Sequence, residues 1–238
     1  MAVTEGGASG AFQDVGPGTL AGRAELRPTD VGALGSYSLA TLSGTMAAGL
    51  AAGAAVYSMR WGNPTNTMLL RRLGLVARNA GTAFAAGVFL FELVMARAFS
   101  ASDSGGTSIL PTVNNQKRRT SFGTTLMTDL RQSATAALSA GTRTLDGAPM
   151  QLIRGGVPAT QVNYPMVSKG AVSVPGASTM AFSLDWQDLF GLDVSNEWPL
   201  VFVQNEGFII RATVPATGTW EFGVLMEWSE IAPTGGFN

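Results

Sequence analysis

The sequence predicts a mainly all-β protein: an antiparallel β-sandwich, jelly-roll-like, with an extended N-terminal arm and at most one or two short helices. In several segments apolar side chains recur at every second position, which is the pattern of strands with one buried face. Short stretches with Gly, Pro and Asn separate these segments, as turns separate the strands of sandwiches and barrels. Together these two features favour an antiparallel sandwich.

The clearest alternation lies near the C-terminal end. Its apolar positions are Trp220, Phe222, Val224, Met226 and Trp228. We expect them to face the core, and we expect Glu221 and Glu227, which lie between them, to face solvent or a partner. The preceding run places Ile210, Ala212 and Val214 on one face. Residues 215–218, with Pro and Gly, form a short connection, so the two runs are predicted to pair as an antiparallel hairpin.

Three earlier segments are also predicted to be strands. Their predicted inward residues are Ala55, Tyr57, Met59 and Trp61; then Leu69, Leu73, Leu75 and Ala77; then Phe89, Phe91, Leu93 and Met95. Aromatic and β-branched residues favour a strand over a buried helix in the third segment. Turn residues follow the first segment at positions 62–65.

Other segments are less clear. Residues 124–140 repeat Leu126, Leu130, Ala134 and Leu138 at every fourth position, which is compatible with a short helix, although the Thr-rich flanks also permit a strand. Residues 182–190 could form one helical turn around Trp186. Residues 145–174 hold short apolar pieces split by Gly and Pro, which is typical of edge strands and turns.

Two regions of the chain are predicted to differ in organisation. Residues 1–50 form an arm with a small-residue lead-in, and residues 51–238 form the β-sandwich domain. Residues 1–22 are rich in glycine and have no hydrophobic period. Small residues let one backbone approach another closely, so we expect this arm to cross a neighbouring subunit. Residues 31–59 carry no charge, but small residues dominate them, so no membrane span is predicted.

The composition argues against most catalytic chemistries. The chain of 238 residues has no histidine and no cysteine, which removes the commonest general base, the commonest transition-metal ligand and the thiolate nucleophile. We therefore predict no enzyme activity, no cofactor and no metal site. Charged residues make up 13% of the chain and the formal net charge is −1. This balance gives no general attraction to nucleic acid or to an anionic membrane, and it favours a subunit whose surface is covered by neighbours.

A hydrolase that uses carboxylates alone stays open, because glycosidases can work with two acids. Glu92, Asp103, Glu221 and Glu227 are residues of the right type. Nothing in the sequence brings two of them together. Acids on strand faces and in loops are therefore favoured over a catalytic pair.

The main concentration of positive charge is Lys117, Arg118 and Arg119. These three are the candidate partner contacts, although three residues are a small footprint for nucleic acid and a solvated loop tip is the favoured alternative. Trp220 and Trp228 could stack on a sugar ring. Their in-register spacing instead favours a core or interface position.

Three phrases of the sequence carry a resemblance. They are Phe99-Ser-Ala-Ser-Asp103-Ser-Gly-Gly-Thr107, Asn114-Asn-Gln-Lys-Arg-Arg119-Thr-Ser, and Gln204-Asn-Glu-Gly-Phe208-Ile-Ile-Arg-Ala-Thr-Val-Pro-Ala-Thr-Gly-Thr-Trp220. From about residue 56 to residue 231 the chain resembles β-rich virion proteins encoded by tailed bacteriophages. The resemblance implies a structural component of the particle, and it brings no functional residues with it.

We therefore expect a capsid decoration or cement protein located in the virion. Its partners would be other virion proteins, among them the major capsid protein, and a homo-oligomer is expected, with a trimer favoured. The alternatives are a fibre, collar or tail component, or a carbohydrate- or receptor-binding β module, and the hydrolase ranks last. Neither nucleic acid nor a membrane is expected as a partner.

Overall fold

The computed structural model describes residues 4–6, 11–13, 34–111, 117–157, 159, 162, 165–167, 186–191 and 199–232. Within these residues the regular structure consists of strands, which form two antiparallel sheets that pack against each other. The predicted all-β antiparallel sandwich is therefore confirmed. None of the described segments is a helix long and apolar enough to cross a membrane.

The strands of the described residues are numbered in chain order. They are β1 (Thr4–Gly6), β2 (Ala11–Gln13), β3 (Gly35–Leu42), β4 (Met46–Ala47), β5 (Ala54–Trp61), β6 (Thr67–Asn79), β7 (Gly87–Ala101), β8 (Thr107–Ser108), β9 (Asp129–Gln132), β10 (Thr142–Leu145), β11 (Gln151–Val157), β12 (Pro165–Val167), β13 (Gln187–Gly191), β14 (Leu200–Phe202), β15 (Glu206–Thr213) and β16 (Thr219–Ile231).

Two large sheets contain most of these strands. In the first, called the β16 sheet, the order is β3–β16–β6, and β12, β13 and β14 all pair with the far side of β6. In the second, called the β15 sheet, the order is β8–β9–β5–β15–β7, and β10 and β11 both pair with the far side of β7. β4 pairs with β16, and β1 pairs with β2 as a separate two-stranded ribbon.

Successive long strands alternate between the two sheets. β3, β6 and β16 lie in one sheet, whereas β5, β7 and β15 lie in the other. Late strands therefore insert between early strands: β16 lies between β3 and β6, and β15 lies between β5 and β7. This arrangement of two antiparallel sheets is that of a jelly roll, with β8 and β9 added beside β5.

Aromatic side chains from both sheets meet in one core. The Trp220 ring of the β16 sheet lies edge-on to Phe91 of the β15 sheet, with 5.8 Å between centroids, and Tyr37 stacks on Trp228 at 5.3 Å. The indole N–H of Trp220 donates to the Ala47 carbonyl oxygen at 3.2 Å. Trp220 and Trp228 are fully buried, so they are core residues rather than sugar-stacking residues, as their spacing predicted.

The predicted closing hairpin is wrong. β15 and β16 belong to opposite sheets, which pack against each other. Residues 214–218 connect them as an arch, in which Thr217 and Gly218 have φ angles of 85° and 91°. The predicted faces nevertheless hold, because Ile210 and Ala212 belong to the core between the sheets and Glu221 and Glu227 of β16 point outward into ion pairs.

A β-bulge changes the predicted face of β6. Glu227 lies opposite Arg72, whereas the next residue of β16, Trp228, lies opposite Leu70. Arg71 is therefore the extra residue, and it shifts the alternation by one position. As a result Leu70, rather than the predicted Leu69, joins the core between the sheets.

The segment 124–140, for which a helix or a strand was considered, contains one short strand. β9 lies within it, and Leu130 of β9 faces the core between the sheets. Leu138 packs on the opposite face of the β15 sheet, in a cluster with Val94 and Ile209. The four-residue repeat thus arises from contacts on two faces of a sheet.

The predicted helical turn around Trp186 is also corrected. Its described part after Trp186 is β13, which pairs with β6. Residues 182–185 of that prediction lie outside the described residues. The expected edge strands in residues 145–174 are present as β11 and β12.

Part of the predicted lead-in belongs to the sandwich. β3 and β4 fall within residues 1–50, and both pair with β16. Of the predicted arm, the structure describes β1 and β2, and the other residues of 1–22 lie outside the described part. The course of this arm across a neighbouring subunit stays a prediction.

Candidate functional site

The basic residues predicted as partner contacts lie in a loop beside β3. Lys117 forms an isolated β-bridge with Tyr37. The Arg118 N–H donates to the Ser36 carbonyl oxygen at 2.9 Å, and its guanidinium lies 2.6 Å from a carboxylate oxygen of Glu227. This loop is therefore attached to the edge of the β16 sheet through both backbone and side chain.

Because of this attachment, the three basic residues differ in how easily a partner could contact them. Arg118 and Arg119 are both exposed. Glu227 of the same chain partly neutralises Arg118, whereas the Arg119 guanidinium lies 5.4 Å from the centroid of the Phe122 ring. Lys117 is half-buried. A partner would consequently reach Arg119 more easily than Arg118, and the role of all three as partner contacts stays a prediction.

Each acid considered for catalysis contacts a different arginine. The pairs are Glu92–Arg211, Asp103–Arg143, Glu221–Arg78 and Glu227–Arg118. Glu92 lies on the outer face of the β15 sheet, whereas Glu221 and Glu227 lie on the outer face of the β16 sheet. The structure does not bring these four acids together. Glu92 and Glu221 form ion pairs across neighbouring strands, whereas the pairs of Asp103 and Glu227 each involve a loop residue.

The pair of Asp103 and Arg143 is buried far more deeply than the others. Their side chains are 0% and 5% exposed, respectively. An Asp103 carboxylate oxygen also accepts the Gly141 N–H at 2.8 Å, and the Arg143 guanidinium lies 5.4 Å from the centroid of the Phe99 ring. Burial lowers the pKa of Arg143. These contacts join β10 to the end of β7.

The structure reveals a further buried carboxylate, Glu230, which has no exposed surface. One of its oxygens accepts hydrogen bonds from the Thr125 hydroxyl, from the Leu126 N–H at 3.0 Å and from the Trp228 indole N–H at 3.2 Å. Glu230 thereby holds the loop before β9 against the end of β16. The even-numbered alternation from Trp220 to Trp228 continues to position 230, so the sequence pattern contained the signal.

Glu230 makes the stability of the fold depend on pH. Burial raises the pKa of Glu230 above its ordinary value of 4.5, although hydrogen bonds from Thr125, Leu126 and Trp228 act in the opposite direction. The folded protein therefore keeps this proton to a higher pH than the unfolded chain. The resulting stability is fully present below the unfolded pKa and is lost as the pH rises through the folded pKa.

We expect the free energy of unfolding of the wild type to fall, relative to that of Glu230→Gln, as the pH rises from about 4.5. Urea denaturation of both proteins from about pH 4 to about pH 8 measures this difference. Glu227→Gln removes an outward-facing acid of the same strand and serves as the control. If the free energy of unfolding of the wild type instead rises with pH relative to that of Glu230→Gln, the pKa of Glu230 is not raised in the folded protein.

A small cleft opens where edges of the two sheets meet. Its volume is about 220 Å³, and its lining comes from the end of β3 and the following turn, from β8 and its neighbour, and from the end of β9. The lining residues are Thr41, Leu42, Gly44, Thr107, Ile109, Gln132 and Ser133. All seven are uncharged.

Two polar groups of this cleft are buried without a partner. Gln132 and Ser133 are 3% and 1% exposed, and neither Gln132 Nε2 nor Ser133 Oγ has a hydrogen-bond partner among the described residues. Buried polar groups are normally paired, so these two atoms are exceptions within the described residues. Each has less than 1 Å² of accessible surface, so neither is open to a ligand in the cleft. No sequence pattern marks the cleft, because its three segments are far apart along the chain.

Exposed apolar side chains lie at the opposite edge of the β15 sheet. Met150, Leu152 and Val88 are exposed there, Leu152 to 56%. β11 pairs with β7 on one side, and no described strand pairs with its other side. An accessible strand edge with apolar neighbours is typical of a surface that contacts another protein.

Comparisons with protein-family models, with curated proteins and with solved structures found no match for this chain.

The described residues thus offer two kinds of binding surface. One is the small neutral cleft, and the other is the apolar β11 edge, whose backbone pairs with no described strand besides β7. Within the described residues there is no group of three or more Asp, Glu, His or Cys side chains placed to hold a metal ion.

Proposed function

We propose that this chain is a structural component of a bacteriophage virion, a capsid decoration or cement protein that binds neighbouring subunits. The observation that best supports the proposal is the exposed strand β11, where Met150 and Leu152 lie beside a backbone edge that no described strand pairs. Such an edge can accept a strand of another chain, while the apolar side chains are buried in the contact.

The virion context rests on the resemblance of residues 99–107, 114–121 and 204–220 to phage virion proteins. The jelly roll is compatible with it, since viral capsid proteins use this fold, but lectins and cupins use it too. The partners that we propose are other virion proteins, among them the major capsid protein. We also propose a homo-oligomer, in which a trimer would match three-fold positions on an icosahedral shell. Native mass spectrometry that finds only a monomer would reject the oligomer.

The proposal is tested on purified particles of a phage whose genome encodes this chain. Mass spectrometry is expected to detect the chain in the particles, and cryo-electron microscopy is expected to place a density for a 24.7 kDa subunit on the capsid surface. Density confined to a fibre, collar or tail would select the alternative location. Absence of the chain from purified particles would overturn the virion role.

The apolar edge provides a sharper test. In particles assembled without the chain and then supplied with it, we expect Leu152→Asp to reduce occupancy by at least about tenfold, because a carboxylate would have to lose its hydration in the contact. The melting temperature should change little, since Leu152 is 56% exposed.

The control is Val203→Asp, which introduces the same charge at a side chain that is 51% exposed outside this edge. Occupancy should be normal for this variant. Equal occupancy for Leu152→Asp and Val203→Asp would show that the β11 edge is not part of the interface. The virion role would then be tested only by mass spectrometry and microscopy of the particles.

A further inference from the structure

We propose that residues 117–126, called the strap, open and close over the buried carboxyl of Glu230, and that the charge on this carboxyl sets how often the strap opens. The strap runs from the edge of β3 to the segment before β9. A neutral Glu230 keeps it closed, whereas an ionised Glu230 favours the open state. The strap does not include the β11 edge, so this proposal does not depend on the virion role.

The first part of the strap covers the edge of β3. β16 pairs with one side of β3. On the other side Tyr37 forms an isolated β-bridge with Lys117, and the Arg118 N–H donates to the Ser36 carbonyl oxygen at 2.9 Å. The strap therefore adds a single bridge to this edge rather than a strand, so its separation from β3 breaks little backbone pairing.

The last part of the strap closes the core at Glu230. Thr125 is 5% exposed, and Glu230 has no exposed surface. One Glu230 oxygen accepts the Thr125 hydroxyl and the Leu126 N–H, the latter at 3.0 Å. The Tyr37 hydroxyl donates to the Gly123 carbonyl oxygen at 3.2 Å. Two side chains of the sandwich, Glu230 and Tyr37, thus hold this part of the strap.

The middle of the strap has contacts within the strap itself. Residues 119–121 are exposed. The Phe122 N–H donates to the Arg119 carbonyl oxygen at 3.1 Å, and the Arg119 guanidinium lies over the Phe122 ring. A Cβ added to Gly123 would meet no atom within 4 Å. Opening therefore breaks the contacts at the two ends of the strap and leaves these internal contacts intact.

Lifting the strap hydrates the Glu230 carboxyl, because Thr125 and Leu126 lie directly on it. Burial raises the pKa of Glu230 above 4.5, although hydrogen bonds from Thr125, Leu126 and Trp228 act in the opposite direction. The closed state therefore holds the proton more tightly than the open state. The open population should rise with pH from about 4.5, by up to about tenfold per pH unit, and become constant above the pKa of the closed state.

The strands around Glu230 add one titratable group, the Tyr37 hydroxyl of β3. Burial, and after it the Coulombic effect of Glu230, raises the pKa of Tyr37 to about 12, so this hydroxyl stays neutral up to about pH 8. β6 places the uncharged Met68 opposite Glu230. Neither strand therefore supplies a charge change that could open the strap in this range.

The strap itself carries the cations of residues 117–119. None of them is a cause of the raised pKa of Glu230, which comes from burial. The Arg118 guanidinium instead lies 2.6 Å from a carboxylate oxygen of Glu227 on the outer face of the β16 sheet. Glu227 is thus a second carboxylate that contacts the strap, and the test must separate its effect from that of Glu230.

The test is hydrogen exchange of the full chain by NMR from about pH 4.5 to about pH 8. The amides of Arg118 and Leu126 report on the strap, and the amide of Val224 reports on the β16 sheet. The strap amides should be at least about tenfold less protected than Val224, because they exchange by local opening. Dividing each rate by that of Glu230→Gln at the same pH cancels the intrinsic pH dependence of exchange. This ratio should rise with pH by at least about threefold for the strap amides.

Two further variants identify the titrating group. Glu227→Gln removes the outer carboxylate and should keep the pH dependence at Leu126. Thr125→Val removes a hydrogen bond that lowers the pKa of Glu230, so the open population should level off at a higher pH than in the wild type. Because Thr125→Val is compared directly with the wild type, it tests the role of Glu230 even if Glu230→Gln fails to fold.

Three results would overturn the proposal. The first is equal protection of the strap amides and Val224, which would mean that the strap opens only when the whole sandwich unfolds. The second is a ratio of wild type to Glu230→Gln that stays constant over the pH range, or, from the other variant, an unchanged levelling-off in Thr125→Val. The third is loss of the pH dependence in Glu227→Gln, which would assign the effect to the outer ion pair.

Discussion

Phe222→Ala is expected to lower the free energy of unfolding by about 3–5 kcal/mol, a large part of the stability of a typical domain. Phe222 is buried on the inward face of β16, and its ring centroid lies 5.5 Å from that of Trp220. Truncation would remove buried apolar surface and leave a cavity between the two sheets. Urea denaturation followed by tryptophan fluorescence measures the loss.

Leu225→Ala is the matched control for this substitution. Leu225 lies on the same strand but points to the outer face and is only half-buried. Its truncation should cost about 1 kcal/mol or less, since less apolar surface leaves water. Similar losses for Phe222→Ala and Leu225→Ala would mean that β16 presents a different face to the core, because a shift of one residue exchanges the two faces.

Arg143→Met is expected to lower the free energy of unfolding by about 3–5 kcal/mol. The substitution leaves the Asp103 carboxylate fully buried with the Gly141 N–H as its remaining donor in the described contacts. An uncompensated buried charge of this kind is strongly destabilising. Thermal and urea denaturation of the variant measure the effect.

A second substitution separates loss of charge balance from loss of packing. In Asp103→Asn/Arg143→Met the carboxylate is gone, while the Asn oxygen can still accept from Gly141, so most of the lost stability should return. The exposed pair Arg72–Asp188, with side chains 35% and 37% exposed, gives the comparison: Arg72→Met should cost about 1 kcal/mol or less. If Arg143→Met costs no more than Arg72→Met, the buried pair does not behave as an uncompensated charge.

The faces of the strands followed from local periodicity. Alternation from Trp220 to Trp228 correctly separated buried aromatic residues from the outward Glu221 and Glu227. The error at Leu69 arose because one bulge residue, Arg71, reverses the alternation within a strand, and no residue type announces such a bulge.

The binding surfaces were far less predictable. The sequence showed that positive charge is concentrated at residues 117–119. It did not show that Arg118 pairs with Glu227, because these two residues are more than a hundred positions apart in the chain. Glu230 could have been found, because it continues the inward series. The cleft at Gln132 could not, since it exists only where the ends of β3, β8 and β9 converge.

By itself the sequence determined that this chain forms an antiparallel β-sandwich and which face of most strands is buried. Both conclusions come from the alternation of side chains along a strand, which is a local property of the backbone. Tertiary structure alone decided which strands pair. β15 and β16 alternate in the same way whether they form a hairpin or face each other across a core, and their placement in opposite sheets depends on hydrogen bonding to strands far away in the chain. β16 therefore lies between β3 and β6, and the sheet edges meet at the cleft beside Gln132.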